Sequence, residues 1–233
     1  MFKSILFYTN KLKLLKRFYR NVLNLEITKA SDEKFTVKIG ESEITFIQSE
    51  CPSFYHFAIN IPGNQFTIMK NWIQDRLPLN YDAGVNQFYS SIFNADSIYF
   101  EDPAGNLVKL IGRRNKDLFG DLTSEAFLNV GEVSIVTPFV SIVGEEIQDF
   151  DIPLNHSVKI DPEALNYLGY GDTFITLAAP AKEWMFSQKR ATESHPLEIT
   201  LNDGGHILLD DHGQITLTRK AEEKEEEKEE KEA

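Results

Sequence analysis

The chain has 233 residues, enough for one large domain or two small ones, and its 42% hydrophobic content is sufficient to bury a core. Its formal net charge of −12 argues against a nucleic-acid-binding surface, although −5 of that charge lies in residues 221–233, which hold eight Glu and three Lys. The single cysteine, Cys51, excludes an internal disulfide and favours a reducing compartment. Because the apolar run at residues 5–8 is too short for a signal peptide or a membrane span, we predict a soluble, cytoplasmic protein that binds neither nucleic acid nor membrane.

The first 112 residues show one order of predicted elements twice: a strand, an amphipathic helix and then further strands. In the first copy a strand at residues 2–9 precedes a helix from Leu12 to Leu23, and strands follow near residues 26–29, 35–39 and 43–48. In the second copy the strand is HFAINI at residues 56–61, a helix follows from Phe66, and a hairpin closes around Asp102-Pro-Ala-Gly-Asn. The pattern predicts two βαβββ units.

The second half is rich in predicted strands and poor in predicted helices. Residues 116–126 are predicted to be a linker, and strands are expected near 130–137, 172–178, 196–202, 206–209 and 214–218. No convincing long helix follows the first of these strands, because SIVGEEIQDF is short and contains Gly144. The acidic residues 219–233 lack aromatic and aliphatic side chains and are predicted to be a disordered or partly helical tail.

Three stretches resemble the vicinal oxygen chelate (VOC) superfamily, which includes glyoxalases, bleomycin-resistance proteins and extradiol ring-cleaving dioxygenases. They are FYRNVLNLEI at residues 18–27, HFAINIP at 56–62 and YFEDPAGNLVKLIGRR at 99–114. The resemblance implies the α+β class, with paired βαβββ units that form a cup-shaped open sheet at residues 1–115. The fragments VGEVSIVTP, LGYGDTFITLAAPAKEW and HPLEITL are similar to a degenerate second copy at residues 127–218.

The resemblance also implies a divalent metal in the cup, held by His and Glu from the first strand of each unit and the last strand of a unit. Carried over to this chain, these positions hold Ser4, Phe46, His56 and Lys109, so only His56 is a competent ligand. Combined with the alternation of side chains along the strands, the resemblance implies a cup lined by Ser4, Tyr8, Phe46, His56, Asn60 and Lys109. Such a mixture of apolar wall and few polar anchors suits a small-molecule pocket.

Lys109 is a charged residue in an otherwise apolar strand, and three explanations remain open. Its ammonium reaches solvent or pairs with a carboxylate, for which Glu101 on the neighbouring strand is a candidate; it holds an anionic ligand; or it is a deprotonated, reactive amine. In the second half, Glu132 and His195 could contribute to a metal site. Their simpler interpretation is that Glu132 is a surface acid at a strand end and His195 a loop residue.

Two functional hypotheses follow. In the first, a VOC/glyoxalase-like protein with a mostly lost metal site binds a small organic molecule without metal catalysis and without a cofactor. In the alternative, the chain is a glyoxalase- or ring-cleaving-dioxygenase-like metalloenzyme with altered ligands. Its divalent Fe, Mn, Zn or Ni would be bound by His56, with Glu132 and His195 as less suitable ligands. The sequence leaves open whether the protein is an enzyme, which ligand it binds and its oligomeric state.

Overall fold

The computed structural model describes residues 2–117, 126–187 and 189–219. Within these ranges the strands and helices form four consecutive units. The first contains β1 (Phe2–Thr9), α1 (Leu12–Asn21), β2 (Ile27–Ala30), β3 (Lys34–Ile39) and β4 (Ser42–Gln48). The second contains β5 (His56–Pro62), a 3₁₀ turn (Gly63–Gln65), α2 (Phe66–Gln74), β6 (Phe88–Ser90), β7 (Ala95–Glu101) and β8 (Leu107–Arg113). The two predicted βαβββ units are therefore confirmed.

The third and fourth units come from the second half of the chain. The third contains β9 (Asn129–Val136), α3 (Val140–Asp149), β10 (Leu154–Asn155), β11 (Asn166–Tyr170) and β12 (Thr173–Ala178). The fourth is the meander β13 (Leu197–Leu201), β14 (Gly205–Leu209) and β15 (Ile215–Arg219), and the described residues include no helix between these strands. In the second half of the chain, the third unit thus has every element of a βαβββ unit. The fourth unit, as far as it is described, has only three strands.

Helix α3 corrects the expectation that no convincing long helix follows the strand at residues 130–137. It has 10 residues and buries Val140, Val143 and Ile147 against the core. Gly144, which argued against it, lies where a Cβ atom would come within 2.7 Å of the Ile160 side chain. The close approach of Ile160 therefore accounts for the glycine, and tertiary packing outweighs its weak helix propensity.

The four units pair in an order that the sequence did not indicate. A seven-stranded sheet has the order β15-β14-β13-β1-β4-β3-β2, and an eight-stranded sheet has the order β10-β11-β12-β9-β5-β8-β7-β6. Unit one therefore shares a sheet with unit four, and unit two with unit three. The cup expected between units one and two is not formed, because β1 has β4 and β13 as its neighbours and β5 has β8 and β9.

One continuous core joins the two sheets and the three helices. It contains the inward side chains of both sheets, such as Ile5 and Phe7 on β1 and Phe57 and Ile59 on β5, all of them fully buried. The alternation along the strands turns Ser4, Leu6 and Tyr8 of one sheet, and His56 and Lys109 of the other, away from this core. Each sheet thus has a second face that does not pack on this core, which we call its open face.

The predicted hairpin at Asp102-Pro-Ala-Gly-Asn is confirmed, and Asp102 organises it. Its Oδ1 accepts hydrogen bonds from the backbone N–H groups of Ala104 and Asn106, at 2.9 and 3.0 Å. Its Oδ2 accepts from the Asn106 side chain at 2.8 Å and from the Tyr19 hydroxyl of α1 at 2.9 Å. Burial raises the pKa of Asp102 to about 6, although these hydrogen bonds oppose the shift. The turn fixes the start of β8 against the first helix.

Two predicted regions lie largely outside the described residues. Of the linker predicted at 116–126, residues 118–125 are not described, and of the tail predicted at 219–233 only Arg219 is. None of the described helices is long and apolar enough to cross a membrane.

Candidate functional site

A cavity of about 390 Å³ opens on the face of the eight-stranded sheet that points away from the core. The first and last strands of units two and three each place one polar side chain in it. These are His56 on β5, Lys109 on β8, Glu132 on β9 and Thr176 on β12. The remaining wall is formed mainly by apolar and aromatic side chains, including Phe88, Phe93, Tyr99, Ala164, Leu165, Tyr167, Ala178, Trp184 and Met185.

The floor of the cavity is an ion pair that crosses a strand. Lys109 Nζ donates to both carboxylate oxygens of Glu132, at 2.9 and 3.0 Å. In the strand register Ala58 of β5 lies directly between them, opposite Lys109 on one side and opposite Glu132 on the other. Because the alanine side chain is only a methyl group, the long lysine side chain has room to reach across it.

The ion pair is almost fully removed from solvent, with side-chain exposures of 9% for Lys109 and 2% for Glu132. Burial opposes ionisation of Glu132, but the charge of Lys109 and its hydrogen bonds, together with His56 and Arg113, outweigh burial and hold the pKa of Glu132 below its usual value. Glu132 is therefore ionised, and Lys109 Nζ, which donates to both of its oxygens, compensates its charge. Removal of either partner would leave an unpaired buried charge.

His56 lies beside this pair as a neutral imidazole. Its Nδ1 is 2.8 Å from the carbonyl oxygen of Leu107, so we assign the proton to Nδ1, which donates to that carbonyl. Burial lowers the pKa of His56 to about 4, although the Leu107 hydrogen bond opposes the shift. Nε2 consequently carries a lone pair, and no described residue donates a hydrogen bond to it.

Aromatic side chains surround the imidazole. The indole of Trp184 lies 4.7 Å from the His56 ring, measured between centroids, and the Tyr99 ring lies 6.2 Å from it. Tyr99 in turn stacks on Phe186 at 4.6 Å with an interplanar angle of 4°. Trp184 and Phe186 belong to the connection between β12 and β13, which thus covers the open face of this sheet.

The structure brings His56 and Lys109 together in the cavity, whereas the four other predicted cup residues lie outside it. Ser4 and Tyr8 lie on β1, on the open face of the seven-stranded sheet. Phe46 does not line a cup: it is fully buried in the core, because the register pairs it with Phe7 rather than with Tyr8 on the opposite face. Asn60 shares the face of His56 on β5 but lies beyond the cavity wall, where its amide donates to Asn129 and to the carbonyl of Asp172.

Two expectations about charged residues are wrong. Glu132 is not a surface acid, since it is only 1% exposed. Lys109 pairs with Glu132 and not with Glu101, which is exposed. His195 is a loop residue, as its simpler interpretation states. Its Nε2 lies 3.2 Å from Glu193, and its ring contacts Tyr55 rather than Glu132. The signal that could have identified the pair was available: Lys109 and Glu132 are isolated, opposite charges in two apolar strands.

The metal that the VOC resemblance implies does not fit these residues. Of the four polar side chains that the first and last strands of units two and three place in the cavity, only His56 and Glu132 are usual ligands for a divalent transition metal, and the Lys109 ammonium occupies both oxygens of Glu132. Across residues 2–117, 126–187 and 189–219, no group of three or more His, Cys, Asp or Glu side chains is placed to hold a metal ion.

Comparisons with known proteins support the fold. The family model for toxoflavin-degrading enzyme matches residues 130–181, which cover most of the third unit, and no curated protein matches the chain. A candidate dioxygenase from Bacillus subtilis strain 168 superimposes with a TM-score of 0.61 at 12% identity, over 93% of this chain and 83% of that one.

Smaller structures match about half of the chain. Lactoylglutathione lyase from Agrobacterium tumefaciens aligns at 17% identity and a TM-score of 0.42, over 49% of this chain and 95% of that one. The fosfomycin resistance protein FosX from Mesorhizobium loti aligns at 18% identity and a TM-score of 0.35, over 48% of this chain and 90% of that one. The chain has the α+β fold of the VOC superfamily, as the sequence resemblance implies.

Proposed function

We propose that this protein binds a small organic molecule in the cavity of the eight-stranded sheet, without metal catalysis. The observation that carries the proposal is the Lys109–Glu132 ion pair, whose ammonium group lies among side chains from the first and last strands of two paired units. These are the strands from which the VOC resemblance implies metal ligands. An ammonium has no lone pair to give and repels a cation.

The cavity has the size and composition of a small-molecule site. Its volume of about 390 Å³ falls within the range of known ligand pockets, and its wall is mostly apolar with a few convergent polar groups. The buried charges of Lys109 and Glu132 on the floor compensate each other, so this pair needs no metal cation for electrostatic balance. The metalloenzyme alternative would require Lys109 to leave Glu132 and expose two buried charges.

The test combines metal analysis with identification of bound compounds. We expect the purified, tag-free protein to contain far less than one equivalent of Fe, Mn, Zn or Ni, and organic extraction of the native protein to release a defined small molecule. A matched variant, Ala178→Trp, would fill the cavity with a large ring, and we expect the molecule to be absent from it. Ile142→Trp, at an exposed position on α3, serves as the control that retains the molecule.

One result would overturn the proposal directly. A stoichiometric divalent metal that disappears in His56→Ala, while the circular dichroism spectrum is unchanged, would establish a metal site and exclude the metal-free function.

A further inference from the structure

We infer that the cavity selects an uncharged, flat aromatic molecule that offers an N–H or O–H group to His56 Nε2. This inference rests on the proposed function and names the class of ligand for that site. Three independent features of the cavity support it: its aromatic wall, the pairing of both its lysines with carboxylates, and a His56 Nε2 to which no described residue donates a hydrogen bond.

The wall of the cavity favours a flat ring. Aromatic side chains line it from several directions: Phe88 from β6, Tyr99 from β7, Tyr167 from β11 and Trp184 from the connection after β12. Phe93 extends this wall and packs against Tyr167 with ring centroids 4.9 Å apart. Ring faces and edges at such distances give favourable stacked and T-shaped contacts with a planar aromatic ligand.

The charges around the cavity disfavour an anion. Among the described lining residues the cations are Lys109 and Lys182, and each is already paired with a carboxylate, Glu132 and Glu163 respectively. A third carboxylate, Glu183, lies exposed at the rim, so the lining carries one negative charge in excess. An anionic ligand would have to break a pair or lie near uncompensated negative charge. The pairing of Lys109 with Glu132 therefore argues against the explanation that Lys109 anchors an anion.

His56 offers a ligand a hydrogen-bond acceptor. Its Nδ1–H is used by the carbonyl of Leu107, which leaves Nε2 as an acceptor that no described residue satisfies. The imidazole is 7% exposed, and Nε2 faces no protein donor. A ligand with an N–H or O–H group would satisfy this lone pair, whereas a ligand without a donor would leave it desolvated and unpaired.

The test uses three probes that differ in one property each: indazole, which is neutral and has an N–H; 1-methylindazole, which lacks it; and indazole-3-carboxylate, which is an anion. The protein has two tryptophans, and Trp72 on α2 is not part of the cavity wall. In a Trp72→Phe background the fluorescence of Trp184 therefore reports binding in the cavity. We expect indazole to quench it with a dissociation constant at least about tenfold lower than that of 1-methylindazole, the factor for one unpaired acceptor. We expect indazole also to bind more tightly than the carboxylate, which keeps the N–H but brings a negative charge to a lining that already has one in excess.

The matched variants are His56→Phe, which keeps a ring and removes the acceptor, and His206→Phe on the other sheet. We expect His56→Phe to abolish the preference for indazole over 1-methylindazole, and His206→Phe to preserve it. If His56→Phe does not fold, the comparison of the three probes on the parent protein still decides the question.

The outcomes separate this inference from the proposed function. Tighter binding of the carboxylate, equal binding of indazole and its methyl derivative, or no quenching by any probe at millimolar concentration would overturn the inference about ligand class. None of these would affect the metal-free function. Binding that is lost on dialysis against a chelator and restored by Mn²⁺ or Zn²⁺ would instead overturn the proposed function.

Discussion

The open faces of the two sheets share a strand arrangement and differ in what covers them. In both sheets two first strands pair antiparallel at the centre, β1 with β13 and β5 with β9. Each face has an acidic and a basic side chain in contact, but Glu198 and His206 of the seven-stranded sheet are about one-third exposed, whereas Lys109 and Glu132 are buried. The connection after β12, and not the sheet itself, therefore encloses the face that carries the cavity.

The largest expected effect is on stability, from breaking the buried pair alone. Lys109→Met leaves the Glu132 carboxylate buried without compensation, and we expect it to lower the free energy of unfolding by about 3–5 kcal/mol. Urea denaturation followed by circular dichroism measures this loss. The double variant Lys109→Met with Glu132→Gln removes both charges and is expected to recover most of it. A double variant no more stable than Lys109→Met would show that the pair is not the cause.

The second prediction concerns the loss of stability at low pH. The pKa of His56 is lowered from 6.5 to about 4 in the folded protein, so the unfolded chain binds the proton more tightly, and stability is lost as the pH falls between these values. The loss is about 3 kcal/mol at pH 4. Asp102 acts in the opposite direction, because its raised pKa adds stability as the pH falls below about 6.

The measurement is therefore the difference in the free energy of unfolding between wild type and His56→Asn. It is determined by urea denaturation at several pH values from 7 to 4. We expect the stability of wild type relative to the variant to fall by about 3 kcal/mol over this range. If the free energies of unfolding of wild type and His56→Asn differed by the same amount at every pH, this would contradict a neutral, buried His56.

The third prediction converts the pair into a metal site. Lys109→Glu would place a second carboxylate beside Glu132 and His56, and we expect it to bind Mn²⁺ or Zn²⁺ and gain about 2.7 kcal/mol of stability when the metal exceeds its dissociation constant a hundredfold. Thermal unfolding with and without metal checks this. Addition of Ser4→His is expected to contribute nothing, because Ser4 lies in the other sheet. A requirement for Ser4→His would contradict the observed pairing of the units.

The smallest effect is expected on the exposed face. Glu198→Gln removes the partner of His206, whose Nε2 lies 3.2 Å from the carboxylate, in a solvent-exposed setting. We expect a change of less than about 1 kcal/mol in the free energy of unfolding, since surface pairs contribute little. A loss comparable to that of Lys109→Met would mean that the face of the seven-stranded sheet is covered in solution.

Local features of the fold were predictable from the sequence, but which strands pair with one another was not. The alternation in residues 2–9 and 56–61 and the Asp102 turn specify strands and a hairpin, because they depend on neighbouring residues. The pairing of β1 with β13 depends on contacts across most of the chain, which no local pattern encodes. The same holds for the site: Lys109 was recognised as unusual, but its partner Glu132 becomes adjacent only when β9 pairs with β5 across Ala58.

The pairing of β1 with β13 also sets an order of events during protein synthesis. Every strand of the eight-stranded sheet lies between His56 and Ala178, so that sheet can be completed before the ribosome translates β13. Strand β1 is made first, yet one of its edges waits for Leu197–Leu201. An unpaired strand edge can pair incorrectly with another nascent chain. The seven-stranded sheet is therefore the part of the molecule for which a chaperone would matter most while translation continues.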